Sequence, residues 1–168
     1  HSSVINACAK GWQWERALQL VVDVVEARLG FDTVTFNAAI SACERSHQWR
    51  VALSLLGAMW WGAVTPNTVT YDAAISACDK GRQWEHALLL LEEMQAWTVA
   101  QNTVTYSALI SACQRSKEWV VALHLLDEMW HWSIVPNTIT YNSSISACAT
   151  VDSWTLALEL LSEMRRRG

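Results

Sequence analysis

Apolar positions along the chain recur with the period of an α-helix. Val34, Phe36, Ala39, Ile40 and Cys43 form one stripe at helical spacing, which predicts a helix over about 34–45. A second helix is predicted over about 49–61. The β-branched opening Val34-Thr35-Phe36 would also suit a strand, but Asp32-Thr33 places capping oxygens just before it, as a helix start requires. The same alternation predicts helix pairs at about 69–80 and 84–96, 104–115 and 119–131, and 139–149 and 154–166. Upstream, residues 1–10 read as most of a first helix, and 14–27 as its partner, with Trp14, Ala17, Leu18, Leu20 and Val21 at helical spacing. Short polar turns such as Gly81-Arg82-Gln83 make the members of a pair antiparallel neighbours. Pro66-Asn67-Thr68 and Pro136-Asn137-Thr138 stop one pair and cap the next.

These pairs are copies of one another. The stretch Thr68-Val-Thr-Tyr-Asp-Ala-Ala-Ile-Ser-Ala-Cys-Asp-Lys80, followed by Gln83-Trp-Glu-His-Ala-Leu-Leu-Leu-Leu-Glu-Glu-Met94, returns every 35 residues from Thr33, Thr68, Thr103 and Thr138. A unit of this size cannot bury its own apolar face, so neighbours must stack. The expected fold is an all-α solenoid of helical hairpins, one array over 1–168. Its complete units are 33–67, 68–102 and 103–137, flanked by truncated units at 1–32 and 138–168. Because the chain opens and closes inside a copy, it reads as a fragment of a longer array, and any targeting segment is expected outside it.

Composition narrows the function classes. Hydrophobic residues make up 52 % of the chain, yet no apolar run approaches the roughly 18 residues of a membrane span. The net charge of −4 argues weakly against nucleic acid, but its distribution matters more. Lys10, Arg45, Lys80 and Arg115 lie in first helices, whereas Glu92, Glu93, Asp127, Glu128, Glu159 and Glu163 lie in second helices. Cys8, Cys43, Cys78, Cys113 and Cys148 occupy one register and are expected to be small buried thiols, too far apart for disulfides. Reduced thiols fit an intracellular compartment. The five histidines keep no register, and although His124 and His131 share a helix face, nothing completes a metal site. No nucleophile–base pair or phosphate loop appears, so neither enzyme chemistry nor a cofactor is expected. Trp14, Trp49, Trp84, Trp119 and Trp154 open the second helices. Each is a base-stacking platform or, more simply, a ring wedged between the helices of its pair. Trp60, Trp61, Trp97, Trp130 and Trp132 crowd the second-helix ends, where they are expected to cover joins between repeats.

A 35-residue helix pair written Thr-Val-Thr-Tyr-Asp…Ile-Ser-Ala-Cys…Ala-Leu-Leu-Leu-Leu-Glu-Glu-Met closely resembles the pentatricopeptide repeat, and the resemblance covers the whole chain. Tetratricopeptide repeats are related, but their tryptophan lies in the first helix, and here it opens the second. The resemblance implies a right-handed superhelix lined on its concave face by first helices. It also implies binding of single-stranded RNA, one base per repeat, in organellar RNA processing, stability, editing or translation. It places such proteins in mitochondria or chloroplasts, with no membrane or small-molecule partner. The rival expectation, drawn from the acidic charge and the many tryptophans, is a protein-binding helical scaffold.

Carried onto this chain, the resemblance makes base readers of Ser2 with Asp32, Asn37 with Asn67, Asp72 with Asn102, and Ser107 with Asn137, and of Asn142. It implies G, a pyrimidine and A for the first, second and fourth of these pairs. Asp72 with Asn102 departs from the common pairs. Asp32, Asn67, Asn102 and Asn137 are also natural helix caps. Capping does not explain Ser2, Asn37, Asp72, Ser107 and Asn142, polar residues of poor helix propensity inside first helices. Val34, Val69, Val104 and Ile139, three residues earlier, are base-sandwiching clamps by resemblance or ordinary packing residues. Lys10, Arg45, Lys80 and Arg115 suit a helix C-terminus, and by resemblance contact phosphates.

Overall fold

The computed structural model describes Glu15, Gln19, and residues 32–149 and 154–167. Eight helices and no strand occur among them. In chain order they are α1 (Thr33–Arg45), α2 (Trp49–Trp61), α3 (Thr68–Lys80), α4 (Trp84–Ala96), α5 (Thr103–Ser116), α6 (Trp119–His131), α7 (Thr138–Ala149) and α8 (Trp154–Arg167). The predicted bounds agree to within a residue or two, the ordinary latitude of helix ends. The readings of helices at 1–10 and 14–27, of Cys8, and of Trp14 fall outside the described residues, apart from Glu15 and Gln19, which are helical. The Trp154 side chain is also outside them.

Each helix starts and stops for a local reason. Asp32, Asn67, Asn102 and Asn137 accept hydrogen bonds from the N–H groups of Thr35, Thr70, Thr105 and Thr140, at 2.7, 3.1, 3.0 and 2.9 Å. These bonds satisfy amides that a helix N-terminus leaves unpaired. Second helices follow so closely on the turn that Gln48, Gln83 and Glu118 cap them without a side-chain bond. The six turns from 46–48 to 132–134 close in the same way. Gln48, Gln83 and Glu118 N–H groups return to Cys43, Cys78 and Cys113, and those of Val64, Val99 and Ile134 to Met59, Met94 and Met129. The residue before each donor is left-handed: His47, Arg82, Lys117, Ala63, Thr98 and Ser133, with φ of 53–66°. This is the Schellman stop, built here without glycine.

The core is as periodic as the sequence. First helices bury Phe36, Tyr71, Tyr106 and Tyr141, with Ile40, Ile75 and Ile110 one turn on. Second helices bury Ala52, Leu55, Leu56 and Met59, and their counterparts Ala87, Leu90, Leu91, Met94 and Ala122, Leu125, Leu126, Met129. That spacing gives one apolar face per helix. Cys43, Cys78, Cys113 and Cys148 are buried free thiols, and burial pushes Cys43 up to about 11 and Cys78 and Cys113 up to about 12. Such thiols are unreactive packing residues.

Stacking is asymmetric. First helices α1, α3, α5 and α7 pack on one another in series, whereas no two second helices among the described residues bring Cα atoms within 8 Å. The first-helix layer is the tighter one. Trp49 corrects one expectation. Its ring lies over Gly81, where a Cβ would meet it at 2.4 Å, and 5.1 Å from the His86 ring. It therefore bridges to the next helix pair, because glycine leaves a flat seat there.

Candidate nucleic-acid interface

Val34, Val69, Val104 and Ile139 stand on the first helices, 58–63 % exposed. They lie outside the buried core. One turn on, at a spacing that shares a helix face, lie Asn37, Asp72, Ser107 and Asn142. The two sets make parallel columns, one apolar and one polar, along the first-helix layer.

Asn37, Asp72 and Ser107 of the polar column are joined by hydrogen bonds to capping residues, though not identically at each step. Asn37 Nδ2 donates to Asn67 Oδ1 at 3.3 Å, and Asn102 Nδ2 donates to Asp72 Oδ2 at 3.0 Å. Ser107 and Asn137 meet through Thr140 Oγ1, which lies 2.9 Å from each. Ser107 is only 8 % exposed, so Asn137 is the exposed member of that pair. Asn142 is exposed. Asp32 is exposed, and hydrogen bonds from Thr35 hold its carboxyl below its ordinary value. Ser2 lies outside the described residues.

The sequence reading missed the third residue of each first helix. Thr35, Thr70, Thr105 and Thr140 are buried, and the last three sit between the paired side chains. Thr70 Oγ1 donates to Asn37 Oδ1 at 2.6 Å and Thr105 Oγ1 to Asp72 Oδ1 at 2.5 Å. The available signal was a polar residue kept in register where the helical stripe called for an apolar one.

The candidate phosphate contacts already have protein partners. Lys80 Nζ lies 2.9 Å from Glu44, and Arg115 Nε lies 3.0 Å from Asp79 Oδ1. Each cation thus pairs with an acid of the preceding unit. Arg115 keeps 46 % of its side chain exposed and Lys80 29 %. Ser111 also donates to Asp79, at 3.0 Å. Burial still holds the Asp79 carboxyl above its ordinary value, with Arg115, Ser111 and Lys80 opposing it. Lys10 lies outside the described residues.

On the second-helix side, Trp60 Nε1 donates to Glu93 at 3.0 Å, and Gln95 Nε2 to Glu128 at 3.0 Å. Trp60 also stacks on Trp97 with centroids 4.5 Å apart, covering a join between units as expected. Trp61, Trp97 and Trp132 remain 93, 58 and 54 % exposed. No group of three or more metal-ligating side chains occurs among the described residues, and no helix there is long and apolar enough to cross a membrane.

Comparison with known families and structures follows the same periodicity. The model of the PPR repeat family matches residues 66–115 and 101–150, that of the pentatricopeptide repeat domain 19–80, and that of the PPR repeat 1–29 and 139–168. No curated protein matches. The PPR domain of Arabidopsis thaliana protein-only RNase P 1, in complex with tRNA, is similar at 14 % identity, with a TM-score of 0.85 over 98 % of this chain and 86 % of that one. The maize pentatricopeptide repeat protein PPR10, in complex with an 18-nt psaJ RNA element, is similar at 24 % identity, with a TM-score of 0.74 over 99 % of this chain. Nuclear proteinaceous RNase P 2 from A. thaliana is similar at 12 % identity, with a TM-score of 0.84 over 98 % of this chain. The chain spans 28 % of PPR10 and 37 % of RNase P 2. These likenesses establish a solenoid of stacked helical hairpins.

Proposed function

The chain belongs to the pentatricopeptide repeat family, and from that membership we propose that it binds single-stranded RNA with sequence preference, one base per repeat. The observation that carries the proposal is the column of four exposed apolar side chains, Val34, Val69, Val104 and Ile139, in one register. Leaving a valine in water forgoes about 1.5 kcal/mol of burial. A flat base slipped between successive members would recover part of it. The polar pairs beside that column supply the edge contacts that distinguish bases. Two of the similar proteins are named in complex with RNA.

In this reading the repeats run 33–67, 68–102 and 103–137, with partial units on either side. Asp32, Asn37, Asn67, Asp72, Asn102, Ser107, Asn137 and Asn142 read bases, as does Ser2. The four apolar residues sandwich them. Lys10, Arg45, Lys80 and Arg115 meet phosphates, Lys80 and Arg115 by exchanging or sharing their present acids. The repeats bind and leave chemistry to other parts or partners. The setting we propose is organellar RNA processing, stability, editing or translation, although one similar protein is described as nuclear.

Selection from a random RNA pool tests the proposal. Enrichment of a short motif with a pyrimidine two places 5′ of an A, matching Asn37 with Asn67 and Ser107 with Asn137, supports it. No enriched motif overturns it in favour of a protein-binding scaffold, the reading that exposed Trp61, Trp97 and Trp132 favour.

A further inference from the structure

Each described reader pair is wired to one buried hydroxyl that belongs to the following helix pair. Thr70, Thr105 and Thr140 are 0 % exposed. Their Oγ1 atoms accept the backbone N–H of the cap residue, from Asn67 at 3.1 Å, Asn102 at 3.2 Å and Asn137 at 3.3 Å. A hydroxyl has a single proton to give. At Thr70 it points to Asn37 Oδ1 at 2.6 Å, since Asn67 Oδ1 is further, at 3.0 Å, and already accepts the Thr70 N–H. At Thr105 it goes to Asp72 Oδ1 at 2.5 Å, not to Asn102 Oδ1 at 3.4 Å. The Asn37 amide is thereby held with its oxygen inward and its Nδ2 towards Asn67. Turning that amide over would forfeit the 2.6 Å bond from the hydroxyl and set the Asn37 oxygen against Asn67 Oδ1.

We infer that Thr70, Thr105 and Thr140 are positioning residues for base selection, each fixing the hydrogen-bonding face of the reader pair in the preceding repeat. The inference rests on the base-reading proposed above. It makes a prediction about register that a merely structural threonine does not: the mutated residue lies in one repeat, and the altered base lies one repeat upstream. Valine is nearly isosteric with threonine and lacks the hydroxyl, so Asn37 would be free to present either end of its amide. Serine keeps the hydroxyl.

The experiment is a pool selection with the parent chain, Thr70→Val and Thr70→Ser, with melting temperatures in parallel. Thr70→Val lowers pyrimidine-over-purine discrimination at the base of Asn37 and Asn67 by about tenfold, a typical value for one polar base contact. The preference at the base of Ser107 and Asn137 is unchanged, and Thr70→Ser keeps the parent pattern. A folded Thr70→Val variant that retains parent discrimination at that base, or weakens all bases alike, overturns the inference and leaves base reading intact. A parent chain with no base preference overturns both. Thr105→Val provides the same test should Thr70→Val not fold: its change must fall on the base of Asp72 and Asn102, and a change elsewhere or none overturns the inference.

Discussion

Two sets of apolar side chains face solvent, and they differ in order. On the first-helix layer Val34, Val69, Val104 and Ile139 repeat a β-branched aliphatic side chain in one register, all 58–63 % exposed. On the second helices Trp61 is followed 35 residues later by Ala96 and then His131, and Trp97 by Trp132 but preceded by Gly62. The first-helix column recurs in each of the four units from residue 33 onward, the recurrence that the proposed reading of one base per repeat requires. The outer aromatics are features of particular joins, such as the Trp60–Trp97 stack. An exposed apolar residue is informative when its exposure is repeated, more than when it is large.

The comparison can be broken or sharpened by mutation. The largest effect is expected from replacing Lys10, Arg45, Lys80 and Arg115 together with Ala, which should weaken all RNA sequences alike. If each meets one phosphate, the parent log–log salt slope includes about −2.8 from these contacts, at about −0.7 per phosphate for single strands. An unchanged slope in a salt titration removes them from the interface. Next is Asn137→Asp, which turns a donor-bearing amide into an acceptor while keeping a good cap. Preference at the fourth base should move from A towards G by ~1–3 kcal/mol, read by competition binding. A melting temperature near the parent's shows that the cap survives, and a folded variant still preferring A shows that Asn137 reads no base. Val104→Ala then asks whether the first-helix column binds. We expect about 1 kcal/mol lost in RNA affinity, on the scale of partial side-chain burial, with thermal stability nearly unchanged. Trp97→Ala is its counterpart outside: ~0.5–1.5 kcal/mol of stability from the lost ring pair, and RNA affinity as in the parent. Equal RNA losses in the two variants would erase the distinction drawn here.

The smallest effect is one of slope. Burial holds Asp79 above its usual range, so the folded chain keeps that proton more readily than the unfolded one. Its contribution to stability is full below the unfolded carboxylate value and is lost as pH rises through the raised folded value. In denaturant unfolding, the stability of Asp79→Asn relative to the parent should therefore improve with rising pH across that window. A pH-independent difference would mean that the Arg115 and Ser111 bonds cancel the effect of burial.

Most of the fold was legible because each first helix announces itself twice, by an apolar stripe and by an Asp or Asn just before it, and each second helix by its own stripe and the tryptophan that opens it. The resemblance to pentatricopeptide repeats then supplied the candidate reader pairs. Four things were not legible. Thr70, Thr105 and Thr140 were quoted within the motif, but their hydroxyls act across the unit boundary, which the local pattern does not encode. The Glu44–Lys80 and Asp79–Arg115 bridges join residues 36 apart, one off the repeat, so a search in strict register passes over them. Trp49 looked like a wedge within its own pair, because only the stacked structure brings Gly81 beneath it. The left-handed turn residues were hidden for a different reason: His47, Arg82, Lys117, Ala63, Thr98 and Ser133 carry none of the glycine signal that marks such stops.

The capping residues impose a rule on anyone who shuffles these units. Asn102 closes the 35-residue unit counted from Thr68, yet the helix it caps, α5, opens the next one. Its Nδ2 points back to Asp72 and its Oδ1 forward to Val104 and Thr105. A cassette cut between Asn102 and Thr103 keeps the back-pointing bond but separates Asn102 from the helix it starts and Asp72 from the Thr105 hydroxyl. A cassette cut after Thr105 keeps all of these together. The transferable module is thus out of phase with the repeating text, and grafts joined three residues downstream should carry their behaviour with them.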